Sequence, residues 1–305
     1  MTTSAQWLEG ARPRTLPAAL APVLAGSGAA AGFGGFDALA ALLCVILALA
    51  LQVAVNYAND YSDGVRGTDD VRTGPMRLVA SGAATPAAVK RAALLAGGVG
   101  GLAGVALCAW TGHWWLLAVG AACLVAAWGY TGGARPYGYL GLGEVMVFTF
   151  FGVVATAGTA YAQAGTVTVG TWAAAAAVGS IACAILMANN LRDIHTDPAA
   201  GKRTLAVRLG EDRARLAYAG MLAVPYLAAV VAALAAPTDV PLSLAPLLVL
   251  ATLPVAIALS LIVLRGASGR DLIGVLRDTG LLELGVAVAF ALGLWWSGPA
   301  GPIGL

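Results

Sequence analysis

The chain has 305 residues, of which 60% are hydrophobic and only 10% charged, with a mean hydropathy of +0.84. A soluble domain carries roughly 25% charged residues, so these figures exclude an ordinary water-soluble globule and make membrane spans the useful unit. The formal net charge of +2 singles out no partner by itself, and no nucleic-acid partner is expected.

The opening "MTTSAQWLEGARPRTLP" has no basic stretch running directly into an apolar core and a small-residue cleavage site, so no removable signal peptide is read there. Beyond it, nine stretches approach the ~20 mainly apolar residues that a bilayer core requires. They are 16–33, 38–58, 89–110, 114–131, 141–163, 170–190, 214–236, 241–264 and 279–297. Gly is frequent in the third to fifth, as in membrane helices whose backbones approach closely. The expected fold is an all-α integral membrane protein: nine transmembrane helices bundled around a central cavity, with cytoplasmic loops capping it. Cys44, Cys108, Cys123 and Cys183 all fall inside apolar spans without metal-type spacing and read as small apolar filler. The Trp pairs at 114–115 and 295–296 fit interfacial anchoring, and His113 reads as interfacial too.

Charge sets the orientation. Arg12 and Arg14 precede the first span, and Arg66, Arg72, Arg77, Lys90 and Arg91 lie around the connection from second to third. Arg135 follows the fourth span. Arg192, Lys202, Arg203, Arg208, Arg213 and Arg215 separate the sixth and seventh, and Arg265, Arg270 and Arg277 the eighth and ninth. With nine spans, every Lys and Arg falls on one side. The positive-inside rule makes that side cytoplasmic, which puts the N-terminus inside, the C-terminus outside and the protein in the inner (cytoplasmic) membrane.

Two polar clusters interrupt this apolar chain. "NYANDYSDGVRGTDD" (56–70) ends the second span and "NNLRDIHTD" (189–197) ends the sixth. Asn56 and Asn189 are 133 positions apart, as are Asp60 and Asp193. The echo suggests a single domain over 1–305 with a pseudo-repeat, roughly 16–131 and 141–264, and the ninth helix at 279–297 appended. If the second span continues as a helix, Asn56, Asn59, Asp60 and Asp63 share one face at i, i+3, i+4 and i+7. Asn189, Arg192, Asp193, Thr196 and Asp197 do the same at the end of the sixth. Carboxylates gathered on one face repel unless a cation is present, and an all-oxygen donor set suits Mg²⁺, which binds through a few carboxylates plus substrate phosphates. The nearby Arg66, Arg72, Arg192, Lys202 and Arg203 point to an anion beyond the metal, most plausibly a diphosphate.

On these residues the chain resembles the UbiA superfamily of intramembrane aromatic prenyltransferases, and within it the 1,4-dihydroxy-2-naphthoate polyprenyltransferases of menaquinone biosynthesis. The resemblance is carried by "WLEGARPRTLPAALAPVLAG" (7–26), "NYANDYSDGVRGTDD", "YTGGARPYGYLGLGE" (130–144) and "NNLRDIHTDPAAGKRTLAVRLG" (189–210). It implies Mg-dependent transfer of a polyprenyl chain from its diphosphate to 1,4-dihydroxy-2-naphthoate, with loss of carbon dioxide to give demethylmenaquinol. Mn²⁺ would be able to replace Mg²⁺, and both prenyl partners would move through lipid. It also implies site roles: Asn56, Asp60 and Asp63 in the first metal motif, Asn189, Asp193 and Asp197 in the second. Tyr130 and Arg135 would sit near the isoprenoid diphosphate with Lys202, and Asn59, Arg66, Asn190 and Arg192 complete the expected substrate contacts. Two departures stand out. Many relatives space the first motif's carboxylates four apart, whereas Asp60 and Asp63 are three apart and Gly64 follows, so Asp60 is the firmer expected ligand and Asn59 or Asp69 an alternative to Asp63. Where two adjacent basic residues are usual, this chain has Ala134 and Arg135.

Arg12 or Arg14 is a candidate for holding the aromatic carboxylate. His195, between the aspartates of the second motif, is expected to face away from the metals. Glu144 opens span five, and Glu283, inside span nine, is expected to pair with Arg277 or a backbone group. A prenyltransferase for another aromatic acceptor is the nearest alternative, and a transporter for an anionic or lipid-linked substrate the alternative outside enzymes.

Overall fold

A computed structural model describes residues 2–67, 76–133, 136–236 and 244–301, and every regular element among them is helical. Eight helical stretches are long and apolar enough to cross a bilayer. Large apolar side chains cover their outer faces: Leu95, Leu102, Val125 and Leu234 are all more than 70% exposed. Water does not tolerate such a surface, whereas lipid does. The protein is a multi-span helical membrane protein.

The chain opens with a feature the apolar pattern did not announce. Helix α1 (Ser4–Ala11) starts from a capping box in which Thr3 and Gln6 satisfy each other's backbone N–H groups. It ends at Arg12, whose φ of 54° lies in the left-handed region, and a 3₁₀ turn over Pro13–Thr15 leads into α2 (Leu16–Gly32). Helix α3 (Ala38–Arg66) is capped at its start by Asp37, which accepts from the Ala40 N–H at 2.9 Å, and stopped by Gly67 at φ 71°. It therefore runs on through the first polar cluster, as expected. After it come α4 (Pro86–Thr111) and α5 (Leu116–Thr131). At sixteen residues, α5 is shorter than the eight stretches and spans roughly 24 Å, yet it runs the length of the apolar part of α3, from Leu116 in the cluster around Ala40 to Thr131 bonded to Asn59.

The fifth expected span is one helical stretch, Gly143–Ala164, made of α6 (Gly143–Val147), a π-helical segment (Phe148–Val154) and α7 (Ala155–Ala164). Helix α8 (Val169–Arg192) is the most buried stretch, and the short α9 (Leu205–Leu209) leads to α10 (Glu211–Leu234). The eighth starts as a 3₁₀ segment (Ala245–Thr252) and becomes α11 (Leu253–Leu264); residues 241–243 of the expected span lie outside the described residues. The last, α12 (Asp271–Ser297), begins eight residues before the expected 279. Its first two turns, DLIGVLRD, mix Asp271, Arg277 and Asp278 with buried Leu272 and Val275, and with Asp271 favourably placed at the positive end of the helix dipole nothing in that segment halts the helix, which at about 40 Å projects past the bilayer core.

Helix α2 lies at the centre, packed against α3, α7, α8 and α12. Small residues allow this: a Cβ on Gly28 would come within 2.2 Å of the Ala291 backbone, so α2 and α12 approach to near backbone contact there. The π-helical segment meets α8 in the same way, through facing Gly152 and Gly179. With α2 between them, the polar ends of α3 and α8 open onto one space.

Candidate active site

That space is a cavity of about 1290 Å³. One wall is polar and is lined by Asn56, Asn59, Asp63, Asn189, Asn190, Arg192, Asp193, Asp197 and Lys202. Much of the remaining lining is apolar, with Leu51, Val55, Met146, Val147, Phe150 and Phe151 among its residues, the last four from α6 and the π-helical turn. Nearly all the residues predicted from the two clusters thus meet around one chamber.

In the first cluster the face divides. Asp63 is buried at the cavity; its Oδ1 accepts from the Tyr139 hydroxyl at 2.6 Å and its Oδ2 lies 3.4 Å from Lys202 Nζ. Asn59 lines the same wall, with its Oδ1 accepting from Thr131 Oγ1 at 2.7 Å. Asp60 goes elsewhere. It is completely buried, and its carboxylate accepts the backbone N–H groups of Leu78 (2.8 Å) and Val79 (3.0 Å), pinning the returning loop to α3. It is absent from the cavity wall, so the geometry reverses the expected order of the two carboxylates. Asn56 reaches the wall, but its amide nitrogen donates to the Ala11 carbonyl (2.9 Å) and Thr15 Oγ1 (3.0 Å), which anchors the N-terminal turn. Arg66 is exposed and donates to the carbonyls of Thr131 and Gly133 rather than entering the cavity.

The second cluster departs from the expected helical face. Helix α8 ends at Arg192, with Asp193 as its C-cap, and a series of turns follows to Gly201. The Asp197 N–H still bonds the Asp193 carbonyl at 2.9 Å, an i to i+4 link that keeps Asp197 one turn beyond Asp193 although the helix has stopped. Arg192 grips Asp193 with two bonds, Nε to Oδ1 at 2.8 Å and Nη2 to Oδ2 at 2.6 Å, the planar bidentate arrangement guanidinium favours. The Thr204 hydroxyl reaches Asp197 Oδ2 at 3.4 Å, and the Lys202 N–H bonds the Asp197 carbonyl at 2.8 Å. Lys202 therefore belongs by backbone to the second cluster and by side chain to the first. Asn189 is half-buried at the wall, and Asn190 donates its amide to Glu144 Oε1 at 3.0 Å.

The loop 136–142 supplies residues that the spacing rules did not single out. Tyr130 lines the cavity and meets Tyr137 edge-on at 5.6 Å. Tyr137 also lines the cavity, but its hydroxyl is engaged, donating to the Ala126 carbonyl at 2.6 Å, and burial pushes its phenol up to about 12. Tyr139 faces the cavity. Arg77, read only as a loop charge, lines the wall, as do Arg12, Arg14, Arg270 and Arg277. Arg135 and Asp69 lie outside the described residues. His195 is 81% exposed, with Nε2 3.7 Å from Glu211. Glu283 does not pair with Arg277, which bonds its neighbour Asp278; Glu283 is fully buried, and neither carboxyl oxygen has a hydrogen-bond partner among the described residues.

Among the described residues no three carboxylate, imidazole or thiolate groups converge as a ready-made metal cage. The donor set nevertheless fits Mg²⁺, which is held by one or two carboxylates and completed by water and phosphate oxygens. Asp63, Asp193 and Asp197 supply anionic oxygens to one chamber, and Asn59 and Asn189 supply neutral ones.

The chain has relatives among known proteins, in sequence and in fold. The model of the UbiA prenyltransferase family matches residues 19–271. The chain is 52% identical over 292 residues to a 1,4-dihydroxy-2-naphthoate octaprenyltransferase of Mycobacterium tuberculosis, covering 95% of this chain and 97% of that protein. It is 44% identical over 222 residues to the protein of the same name from Escherichia coli, covering 71% and 72%. Among solved structures, a UbiA homolog from Aeropyrum pernix K1 superposes with a TM-score of 0.66 at 17% identity, over 90% of this chain and 96% of that one. A UbiA homolog from Archaeoglobus fulgidus, bound to GPP and Mg²⁺, gives 0.64 at 14% identity, over 93% and 99%. The chain belongs to the UbiA prenyltransferase family.

Proposed function

We propose that the protein transfers a polyprenyl chain from its diphosphate to 1,4-dihydroxy-2-naphthoate, with loss of the ring carboxylate as carbon dioxide, giving demethylmenaquinol. The observation that carries the reading is one cavity that holds two chemistries: the carboxylates and cations of both polar clusters, and a large apolar lining of aliphatic and aromatic side chains. The relatives from M. tuberculosis and E. coli bear the name of this activity.

Asp63, Asp193 and Asp197, with Asn59 and Asn189, would hold Mg²⁺. The chemistry these residues would gain from Mg²⁺ is positive charge to offset that developing on the leaving diphosphate. Lys202 and Arg77 stand on the same wall and supply charge-assisted donors to the diphosphate; Arg77 provides a second cation where Ala134 occupies the usual basic position. Arg192 holds the Asp193 carboxylate in a fixed plane. Breaking the allylic C–O bond leaves its electron pair on the diphosphate, and the electron-rich ring carbon bonds to the allylic carbon. The ring recovers its electron pair as carbon dioxide leaves. Phe150, Phe151, Met146 and Leu51 keep water from the allylic cation while this happens. Arg12 and Arg14, on the same cavity, are suited to the acceptor carboxylate.

The reading also places the basic ends of the helices, and with them the site, on the cytoplasmic face with the N-terminus inside. The pseudo-repeat is supported by the packing: α3 against α4 and α8 against α10 are equivalent hairpins, each entered through a polar helix end. The test is turnover in detergent or nanodiscs with a short prenyl diphosphate and dihydroxynaphthoate. Prenylated product and carbon dioxide should form with Mg²⁺, cease on chelation and return with Mg²⁺ or Mn²⁺. Activity indifferent to chelator would reject the metal assignment, and product only with another aromatic acid would move the acceptor.

A further inference from the structure

Tyr139 connects parts of the site that are distant in sequence. Its hydroxyl donates to Asp63 Oδ1 at 2.6 Å. Lys202 Nζ lies 4.9 Å from its ring centroid and Arg66 Cζ 5.5 Å, so two cations address the ring. Its carbonyl accepts the Arg203 N–H at 2.9 Å. Lys202 in turn lies 3.4 Å from Asp63 Oδ2, closing a triangle of phenol, carboxylate and ammonium between the end of α3 and the turns after α8.

Each side of the triangle has a physical use. A carboxylate offers about four acceptor directions, and a short charge-assisted bond from the phenol occupies one and fixes the plane in which the others point. The lysine ammonium rides on a flexible stem. Once an anion competes with Asp63 for it, the ring face still holds it by cation–π attraction. We infer that Tyr139 is a positioning residue for the diphosphate end of the site: its hydroxyl orients Asp63, and its ring presents Lys202 to a metal-bound prenyl diphosphate. It thereby sets affinity for that substrate and leaves the aromatic acceptor unaffected. The inference rests on the function proposed above.

The test is equilibrium binding of geranyl thiodiphosphate to the full purified chain across a Mg²⁺ titration, beside KM values for both substrates. Tyr139→Phe keeps the ring and loses the hydroxyl. It should weaken Mg²⁺-dependent binding of the thiodiphosphate about tenfold, the scale of one hydrogen bond to a charged group, and raise the Mg²⁺ concentration for half-saturation. The KM for dihydroxynaphthoate should stay within about twofold, and the melting temperature should be unchanged. Tyr139→Ala should weaken binding further, and adding Lys202→Ala to it should cost less than Lys202→Ala alone costs the wild type. Binding by Tyr139→Phe equal to wild type would overturn the inference. So would an equal rise in both KM values with a lowered melting temperature, which marks a general structural role. If the wild type itself binds no thiodiphosphate with Mg²⁺, the functional reading fails first, and the two failures are thus distinguished.

Discussion

Helix α3 carries its polar cluster to Arg66 without a break, whereas α8 stops at Arg192 and passes its last carboxylate to a run of turns. The two ends also sit in different surroundings: α8 is buried over most of its length, while α3 has much of its apolar stretch exposed on the lipid side. An unbroken helix sends side chains both ways. Positions i, i+3, i+4 and i+7 cover an arc of roughly 100°, wide enough for Asp63 to face the cavity while Asp60, at the edge of the arc, faces Leu78 and Val79. The turns after α8 instead bring Asp193 and Asp197 to the same wall, with Arg192 and Thr204 holding them. Equivalent positions in the two clusters therefore do different work: Asp60, matched with Asp193 by spacing, is a fastening for the loop.

The largest expected effect comes from the carboxylates on the shared wall. Asp63→Asn and Asp193→Asn should each lower turnover on the order of a thousandfold while membrane insertion holds, with a lowered melting temperature in Asp193→Asn, where buried Arg192 loses its anionic partner. Rates near wild type in either would remove that end from the site. Asp60→Asn should behave differently. Its amide group would turn a donor toward backbone N–H groups and leave one unsatisfied, at a cost of about 1–3 kcal/mol. Reduced thermal stability with an unaltered Mg²⁺ requirement in the folded fraction is the expected result; a Mg²⁺ requirement shifted as far as in Asp63→Asn would erase the distinction between the two.

The smallest effect lies at the other end of α3. The Ala40 N–H, and after it the Trp110 indole at 2.7 Å, hold the Asp37 carboxyl below its ordinary value of 3.8. Because the folded value is the lower one, this stabilisation is present above the ordinary value and is lost as the pH falls through the depressed one. Melting curves of wild type and Asp37→Asn should therefore converge as the pH drops below about 4, with wild type the more stable above it. A constant gap at every pH would show that the charge on Asp37 is not what caps the helix.

Much of this was legible in the sequence because bilayer thickness constrains span length so strongly, and because polar clusters are costly in an otherwise apolar chain. The continuation of α3 through Asn56, Asn59 and Asp63 agrees with their helical spacing, and the helix carries Gly64 within it before Gly67 stops it. The same rule failed after Arg192, where the chain leaves the helix in turns and Asp197 is held instead by bonds from Lys202 and Thr204. Asp60 was misplaced because periodicity gives a face but not the neighbour beyond it, and that neighbour arrives from residues 78 and 79. Tyr139 was within a quoted motif, yet no local pattern separates it from Tyr137, which lines the same cavity but spends its hydroxyl on the Ala126 carbonyl. Helix α1 was missed because its eight residues are too short and polar to register as a span.

A structure of the full chain with Mg²⁺ and geranyl thiodiphosphate bears most directly on the shared site. The account predicts one diphosphate lying between the clusters, with Mg²⁺ coordinated by Asp63 on one side and by Asp193 or Asp197 on the other, and Asp60 still bonded to Leu78 and Val79. Metal held by one cluster alone, or a diphosphate bound away from Lys202, would contradict it.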